Sequence, residues 1–556
     1  MDSMDIDTKF LEGGTAQLAA VAIGILLHLF VFRIGEWDLA TTSLIVSFFG
    51  LQLIPAAALS YLVSDHVSFT ESQIIISRLA FLALGGIFSS MLVYRAFFHR
   101  LSKFPGPFLA RLSNFYVTSL SAKDLHLYEE VQDLHRKYGD IVRLGPSELS
   151  ITNKHALAAI HGAQSPCTKG PWYNVLHPLV SLQMIRNKPD HIKRRRVWDR
   201  GFSANALRQY EPRVQNYTNQ LMEQLSKREN TPVNVTDWFN FYSFDVMGDL
   251  AWGKSFNMLR DGIKHYFMKS LHADMTNVGL FSHLIWLFPI FKATPILNKE
   301  NKKFWAWVSQ QVNDRKMMKP SQQDVFSSIL EHHESQGNPS HQDELNLVGD
   351  AYLIAVAGSD TTAAALTCMF FELSQNQEAL QALQKEVDDL YNSTENVDAV
   401  ALQKLQFMDG VINESLRLHP PVPSGVQRMT PPEGLRIDQT FIPGNTIIQI
   451  PSYTMYRDER FFSRPNEFIP TRWTTEKELN VDDSIFNPFS SGRYSCIGKQ
   501  LGLMELRAVA SRIVRKYNVS LAPGQDPQAF LDGKRDTFTL ALGSLELVFT
   551  PRSQKA

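Results

Sequence analysis

The chain has 556 residues and is 44% hydrophobic, enough to build a sizeable core with apolar length left over for membrane segments. Its 55 basic and 56 acidic residues nearly cancel, and a formal net charge of −1 gives no broad positive field for nucleic acid or another polyanion. The 3 cysteines, Cys167, Cys368 and Cys496, lie in unrelated contexts, which argues against a disulfide framework and a structural zinc site.

Three apolar stretches come first: about Ala16 to Phe32, Leu39 to Val63 and Ile74 to Phe98. Each approaches or exceeds the roughly 20 residues that cross a bilayer. Gln52, Pro55 and Arg78 interrupt the second and third, so a re-entrant or interfacial hairpin stands as the alternative to three full crossings. Asp2, Asp5, Asp7 and Glu12 precede the first stretch where a cleavable signal would be basic, which predicts a retained anchor. Arg33 follows the first stretch, the loop around Asp65 to Gln73 has no Lys or Arg, and Arg95, Arg100, Lys103 and Arg111 crowd the end of the third. With an odd number of crossings, that bias predicts a lumenal amino terminus and a cytosolic remainder. Phe104-Pro105-Gly106-Pro107 cannot continue a helix and separates a membrane anchor of about three helices, residues 1–104, from one large domain, residues 105–556. That length leaves no room for a carried NADPH or flavin domain.

In the large domain, Ile141 to Leu144 and Glu148 to Ile151 flank Gly145-Pro146-Ser147 and read as two short strands around a turn. His191-Ile192-Lys193-Arg194-Arg195 places His191 and Arg195 four apart on a predicted helix, with Lys193 and Arg194 read as a solvated basic face. A long apolar run from about Leu345 to Leu373 predicts a buried helix. Inside it, Ala357-Gly358-Ser359-Asp360-Thr361-Thr362 combines a poor helix former with side chains that compete for backbone hydrogen bonds, so a local widening is expected. Two amphipathic helices follow, one carrying Leu380, Leu383, Val387 and Leu390, the other Leu405, Met408, Ile412 and Leu416 ahead of Pro420-Pro421. The second also carries Glu414 and Arg417 three apart on one face. Strands return at Thr446 to Ile450, near Phe538 to Leu540 and at Leu545 to Phe549. The fold class is mainly α with minor β.

The most informative segment is Phe489-Ser490-Ser491-Gly492-Arg493-Tyr494-Ser495-Cys496-Ile497-Gly498, running into a helix-forming stretch from Lys499. A sulfur just before a helix amino terminus meets free amides and the positive dipole end, which favour thiolate over thiol. Glycines on both sides would let backbone approach a flat ligand.

This segment resembles the heme-binding loop of the cytochrome P-450 family: Phe489, Gly492, Cys496 and Gly498 match, while Tyr494 stands where the family usually has Arg or His, with Arg493 one residue earlier. Upstream signatures occur in the family's order: Ala357 to Thr362, then Glu414 with Arg417, then Pro465 to Trp473 with Arg472. The resemblance implies the P-450 fold and heme b ligated through Cys496. It implies proton delivery to dioxygen by Asp360 and Thr361, and heme contacts from His191, Arg195, Arg428, Phe489, Arg493 and Gly498. Either Arg493 or Tyr494 would meet a propionate. Glu414, Arg417 and Arg472 would lock the scaffold. It also implies an endoplasmic-reticulum membrane, with NADPH-cytochrome P-450 reductase as electron donor and cytochrome b5 as a second donor.

The expected activity is insertion of one oxygen atom from O2 into an apolar small molecule, as in natural-product pathways of filamentous fungi that this chain resembles. By analogy the substrate meets Cys167 to Leu182, Phe281 to Phe291, Val422 to Val426 and Ala541 to Ser544, which are rich in Phe, Leu, Val and Pro. Two other readings stand beside it: a heme-thiolate isomerase or dehydratase that does not use O2, and a non-enzymatic heme-binding membrane protein.

Overall fold

The computed structural model describes residues 8–62, 67–318, 322–394 and 396–553; Asp2, Asp5, Asp7, Val63 and Asp65 lie outside them. The backbone divides into two compact units, the first made of residues up to Tyr116 with Arg143–Ser147 and His283–Glu300, the second of the rest.

In the first unit, helices long and apolar enough to cross a membrane occupy Gly14–Phe32, Asp38–Leu62 and Phe69–Phe98. Gln52 and Pro55 do not break the second of these. Gln52 accepts from Ser77 Oγ on the third helix at 2.8 Å and donates to Phe48 O, so its amide is satisfied within the helices. The first and third helices approach through glycine: a Cβ on Gly24 would stand 1.9 Å from Ala83 O, and one on Gly86 2.3 Å from Val21 O. Part of the aromatic stretch after Phe281 folds as a short helix, Leu287–Ala293, that packs against Thr41–Leu62, a contact its composition does not announce.

The second unit is mostly helical with small sheets. Its central element is the helix His341–Gln375, started by a capping box between Ser340 and Asp343. This helix is apolar enough for a membrane, but 78% of its most apolar window is buried in protein, much of it against Val235–Trp252. The expected widening is absent: the helix stays α through Gly358 and Thr361. The competing hydroxyls bond backward along the helix without opening it, Thr361 Oγ1 to Ala357 O at 2.7 Å and Ser359 Oγ to Ala355 O. Gly358 has a packing reason instead, because Met247 Sδ lies 2.6 Å from where its Cβ would be.

The two amphipathic helices form at Gln377–Ser393 and Gln406–Leu418 and bury their predicted stripes. Parallel strands Glu148–Ile151 and Ile447–Gln449 continue antiparallel into Arg428–Met429 and then Thr168–Lys169, which sets Lys169 directly opposite Arg428. Pro232–Asn234, Glu546–Pro551 and Tyr517–Leu521 make a second sheet, and Arg535–Thr537 with Thr539–Ala541 a hairpin.

Candidate active site

Cys496 sits just ahead of the helix Lys499–Lys516, whose amino-terminal cap is Gly498. Its amide donates to Phe489 O at 2.8 Å, and the Asn487 amide donates to the Tyr456 hydroxyl at 3.0 Å, so both limbs of the loop are anchored. Gly492 has φ +63°, and a Cβ there would lie 2.5 Å from His161 O. The turn itself therefore requires glycine there. Gly498, at φ −80°, has ordinary backbone geometry, and a Cβ on it would stand 4.0 Å from Cys496 Sγ, an ordinary van der Waals contact.

Burial pushes the Cys496 thiol up, against the opposing pull of the Gly498 amide, Arg195 and the Lys499 amide. The Gly498 and Lys499 amides act in the expected direction, toward thiolate. Cys496 nevertheless keeps accessible surface.

A matching window lies on the central helix. Leu353, Ala357 and Thr361, four apart on one face, keep accessible surface where most of the surrounding helix is buried. The two helices meet beside this window, with a Cβ on Gly502 placed 3.8 Å from Thr362 Oγ1. Asp360 is buried and faces elsewhere: Oδ1 lies 3.0 Å from His272 Nε2, a partner no sequence motif indicates. Burial opposes the His272 cation, but the hydrogen bond and charge of Asp360 outweigh it and raise the histidine. The structure thus places Thr361 on the window and Asp360 behind it, with no hydrogen bond between the two side chains among the described residues.

On the other side of Cys496 the cationic residues gather around Tyr494. His191 meets the ring edge-on at 4.7 Å, Arg428 Cζ lies 4.8 Å and Arg493 Cζ 5.9 Å from its centroid. Arg195 donates to Ser495 O at 2.8 Å and pairs with Asp199. His191 is pushed down to about 3, first by burial and then by Lys169, Arg195, Arg493 and Arg428, so its imidazole is neutral. Its Nδ1, Arg428 Nε and the Tyr494 hydroxyl are buried without hydrogen-bond partners. Arg428 and Arg493 have no carboxylate partner among the described residues. Arg194 departs from the solvated reading: it reaches inward to Asp350 Oδ2 at 2.6 Å, while Lys193 stays exposed.

Trp172, from the first of the segments read as substrate-lining, meets residues that flank two others, and those flanks meet each other. Trp172 stacks on Phe538 at 4.2 Å, the Trp172 amide donates to the Gln427 side chain at 3.0 Å, and Leu540 N donates to Pro421 O at 2.9 Å. Below the Cys496 loop, Glu414 pairs with Arg417 at 2.8 Å and Arg472 at 2.9 Å, all three fully buried.

The family model for cytochrome P-450 matches residues 105–548. The chain is 52% identical to cytochrome P-450 monooxygenase FCK2 of Fusarium pseudograminearum over 96% of its own length and 97% of the relative. It is 41% identical to the monooxygenase phqL of Penicillium fellutanum over 97% of this chain and 96% of that one. To the tryprostatin B 6-hydroxylase of Aspergillus fumigatus it is 36% identical over 95% of both. Taken with a cysteine loop in this setting, these likenesses show that the chain belongs to the cytochrome P-450 family, as a heme-thiolate monooxygenase that binds heme b through cysteine and works with O2, a substrate and a redox partner.

Proposed function

We propose that Cys496 is the axial ligand and that the chain oxidises an apolar, fairly bulky intermediate of fungal natural-product biosynthesis. The observation that carries the assignment is the charge around Tyr494. Buried cations without carboxylates, together with an orphaned donor on Arg428 and an orphaned ring nitrogen on His191, call for a buried anion, and the two propionates of heme supply it. The accessible faces at Cys496 and at Leu353 to Thr361 fit the two sides of a flat macrocycle. His191, Arg195, Arg428 and Arg493 would hold the propionates, with Phe489 and Gly498 keeping the sulfur side clear.

Bound at Cys496, heme supplies the iron at which O2 is cleaved, with thiolate donation favouring that cleavage. The protein controls the rest. Thr361 Oγ1, the hydroxyl of the window, gives its own hydrogen to Ala357 O and would accept from a proton-bearing water beside dioxygen, while Asp360 Oδ1, in contact with His272, would resupply that water from behind. Trp172, Phe538 and Val422 to Val426 exclude water around the substrate. Residues 1–104 anchor the chain in the endoplasmic reticulum, and 105–556 form the cytosolic catalytic domain. NADPH-cytochrome P-450 reductase supplies electrons, with cytochrome b5 as a second donor. Protease protection of an amino-terminal tag in sealed microsomes checks that topology; digestion from the cytosolic side would refute it.

The full chain with reductase, NADPH, 18O2 and a panel of apolar fungal intermediates is expected to give a product carrying one labelled oxygen. Turnover without O2 or NADPH would support the isomerase reading instead. Thr361→Ala is expected to leave heme and substrate spectra intact while the ratio of peroxide to product formed per NADPH rises about tenfold or more, since one positioned proton donor contributes on the order of 10²-fold. Coupling equal to that of the unaltered protein would remove Thr361 from the proton path.

A further inference from the structure

We propose that Lys169 is a propionate ligand in this chain, supplying from the strand Thr168–Lys169 the cation that the family places at the position of Tyr494. The inference rests on the assignment of heme to Cys496. Lys169 and Arg428 face each other across an antiparallel pair, and both are buried, at 3% and 2% exposure. Like charges directly opposed on adjacent strands repel, and here no carboxylate among the described ion pairs neutralises either one.

Both cations lie against the same ring: Lys169 Nζ is 4.9 Å and Arg428 Cζ 4.8 Å from the Tyr494 centroid. The ring gathers the two charges through its faces and brings none of its own. Lys169 Nζ donates to Leu182 O at 3.1 Å and Gln183 O at 2.6 Å, which uses two of the three ammonium hydrogens and leaves one to give. Burial, with Arg428, Arg194 and Arg195, holds Lys169 well below the usual lysine range, the condition of a cation that lacks its anion. A propionate shared by Lys169 and Arg428 turns the cross-strand repulsion into a bridge. An Arg or His at 494 would add a further positive charge to a cluster that already has enough.

The test compares the full chain and Lys169→Met, each reconstituted with heme b or with heme dimethyl ester, whose propionates carry no charge. The readout is the rate of heme loss to an excess of apomyoglobin. With heme b, Lys169→Met is expected to lose heme about tenfold faster and Lys169→Arg within about threefold of the unaltered chain, the scale of one charge-assisted hydrogen bond. With the dimethyl ester, Lys169→Met and the unaltered chain should lose heme alike. Should Lys169→Met not fold, Lys169→Gln, which can still donate to the two carbonyls, is read the same way. Equal rates with heme b, or equal acceleration with both hemes, would make Lys169 a strut for the Leu182–Gln183 turn and overturn the proposal alone. An unaltered chain that takes up no thiolate-ligated heme would overturn the Cys496 assignment, and this one with it.

Discussion

Replacing Cys496 by Ser is expected to abolish the thiolate Soret band of the reduced, carbon-monoxide-bound protein and to bring product formation below detection, while the fold persists. Serine nearly matches cysteine in shape, and the backbone restraint on the loop, Cys496 N to Phe489 O at 2.8 Å, does not involve the sulfur. The Gly498 and Lys499 amides that act on the sulfur are also left in place. What changes is the donor: a hydroxyl does not ionise near neutral pH and gives none of the electron release that a thiolate provides. Neither other cysteine can substitute. Cys167 and Cys368 are buried, and burial raises both thiols, that of Cys368 to about 12. Cys167→Ser and Cys368→Ser should therefore keep the band. Absorbance spectra and product assays on the three variants decide the matter; a thiolate band surviving in Cys496→Ser would remove the basis of the assignment.

Elements with a strong local signal were legible in the sequence. The three long apolar helices at the amino-terminal end, the amphipathic helices before Pro420 and the short strands around Pro146 announce themselves by apolar length, by helical spacing and by turn residues. Contacts made only by the tertiary fold were not. Lys169 stands opposite Arg428 across more than 250 residues of chain, and His272 reaches Asp360 from a helix that bears no motif. Arg194 looked like its exposed neighbour Lys193 because helical phase alone does not reveal that Asp350 lies inward. Gly358 and Gly492 show a related limit: a glycine marks a close approach, and only the fold says that the neighbours are Met247 and His161.

Glu414→Gln should destabilise the second unit by about 3–5 kcal/mol, the cost of leaving a buried cation without its carboxylate. Glu414 accepts from Arg417 Nε at 2.9 Å and its Nη2 at 2.8 Å, from Arg472 Nε at 2.9 Å, and from the Ile469 amide and Trp473 Nε1 at 3.0 Å each. A glutamine has one acceptor oxygen and turns an amide NH2 toward the remaining donors. The backbone carbonyls of Tyr456, Pro465 and Glu467 on Arg417, and of Ser463, Leu479 and Arg464 on Arg472, would still solvate the guanidiniums. They cannot supply the missing charge, and two cations would share a site at 0% exposure. Tyr456, whose carbonyl is one of those acceptors, also accepts at its hydroxyl from the Asn487 amide at the start of the cysteine loop. Strain at Glu414 should therefore reach the heme as well as the fold. Denaturant midpoints followed by tryptophan fluorescence and by the Soret band should fall together. A Glu414→Gln protein as stable as the unaltered chain would mean that the carbonyls alone balance both arginines; a fold midpoint that drops while the Soret midpoint holds would mean that the network and the cysteine loop are mechanically independent.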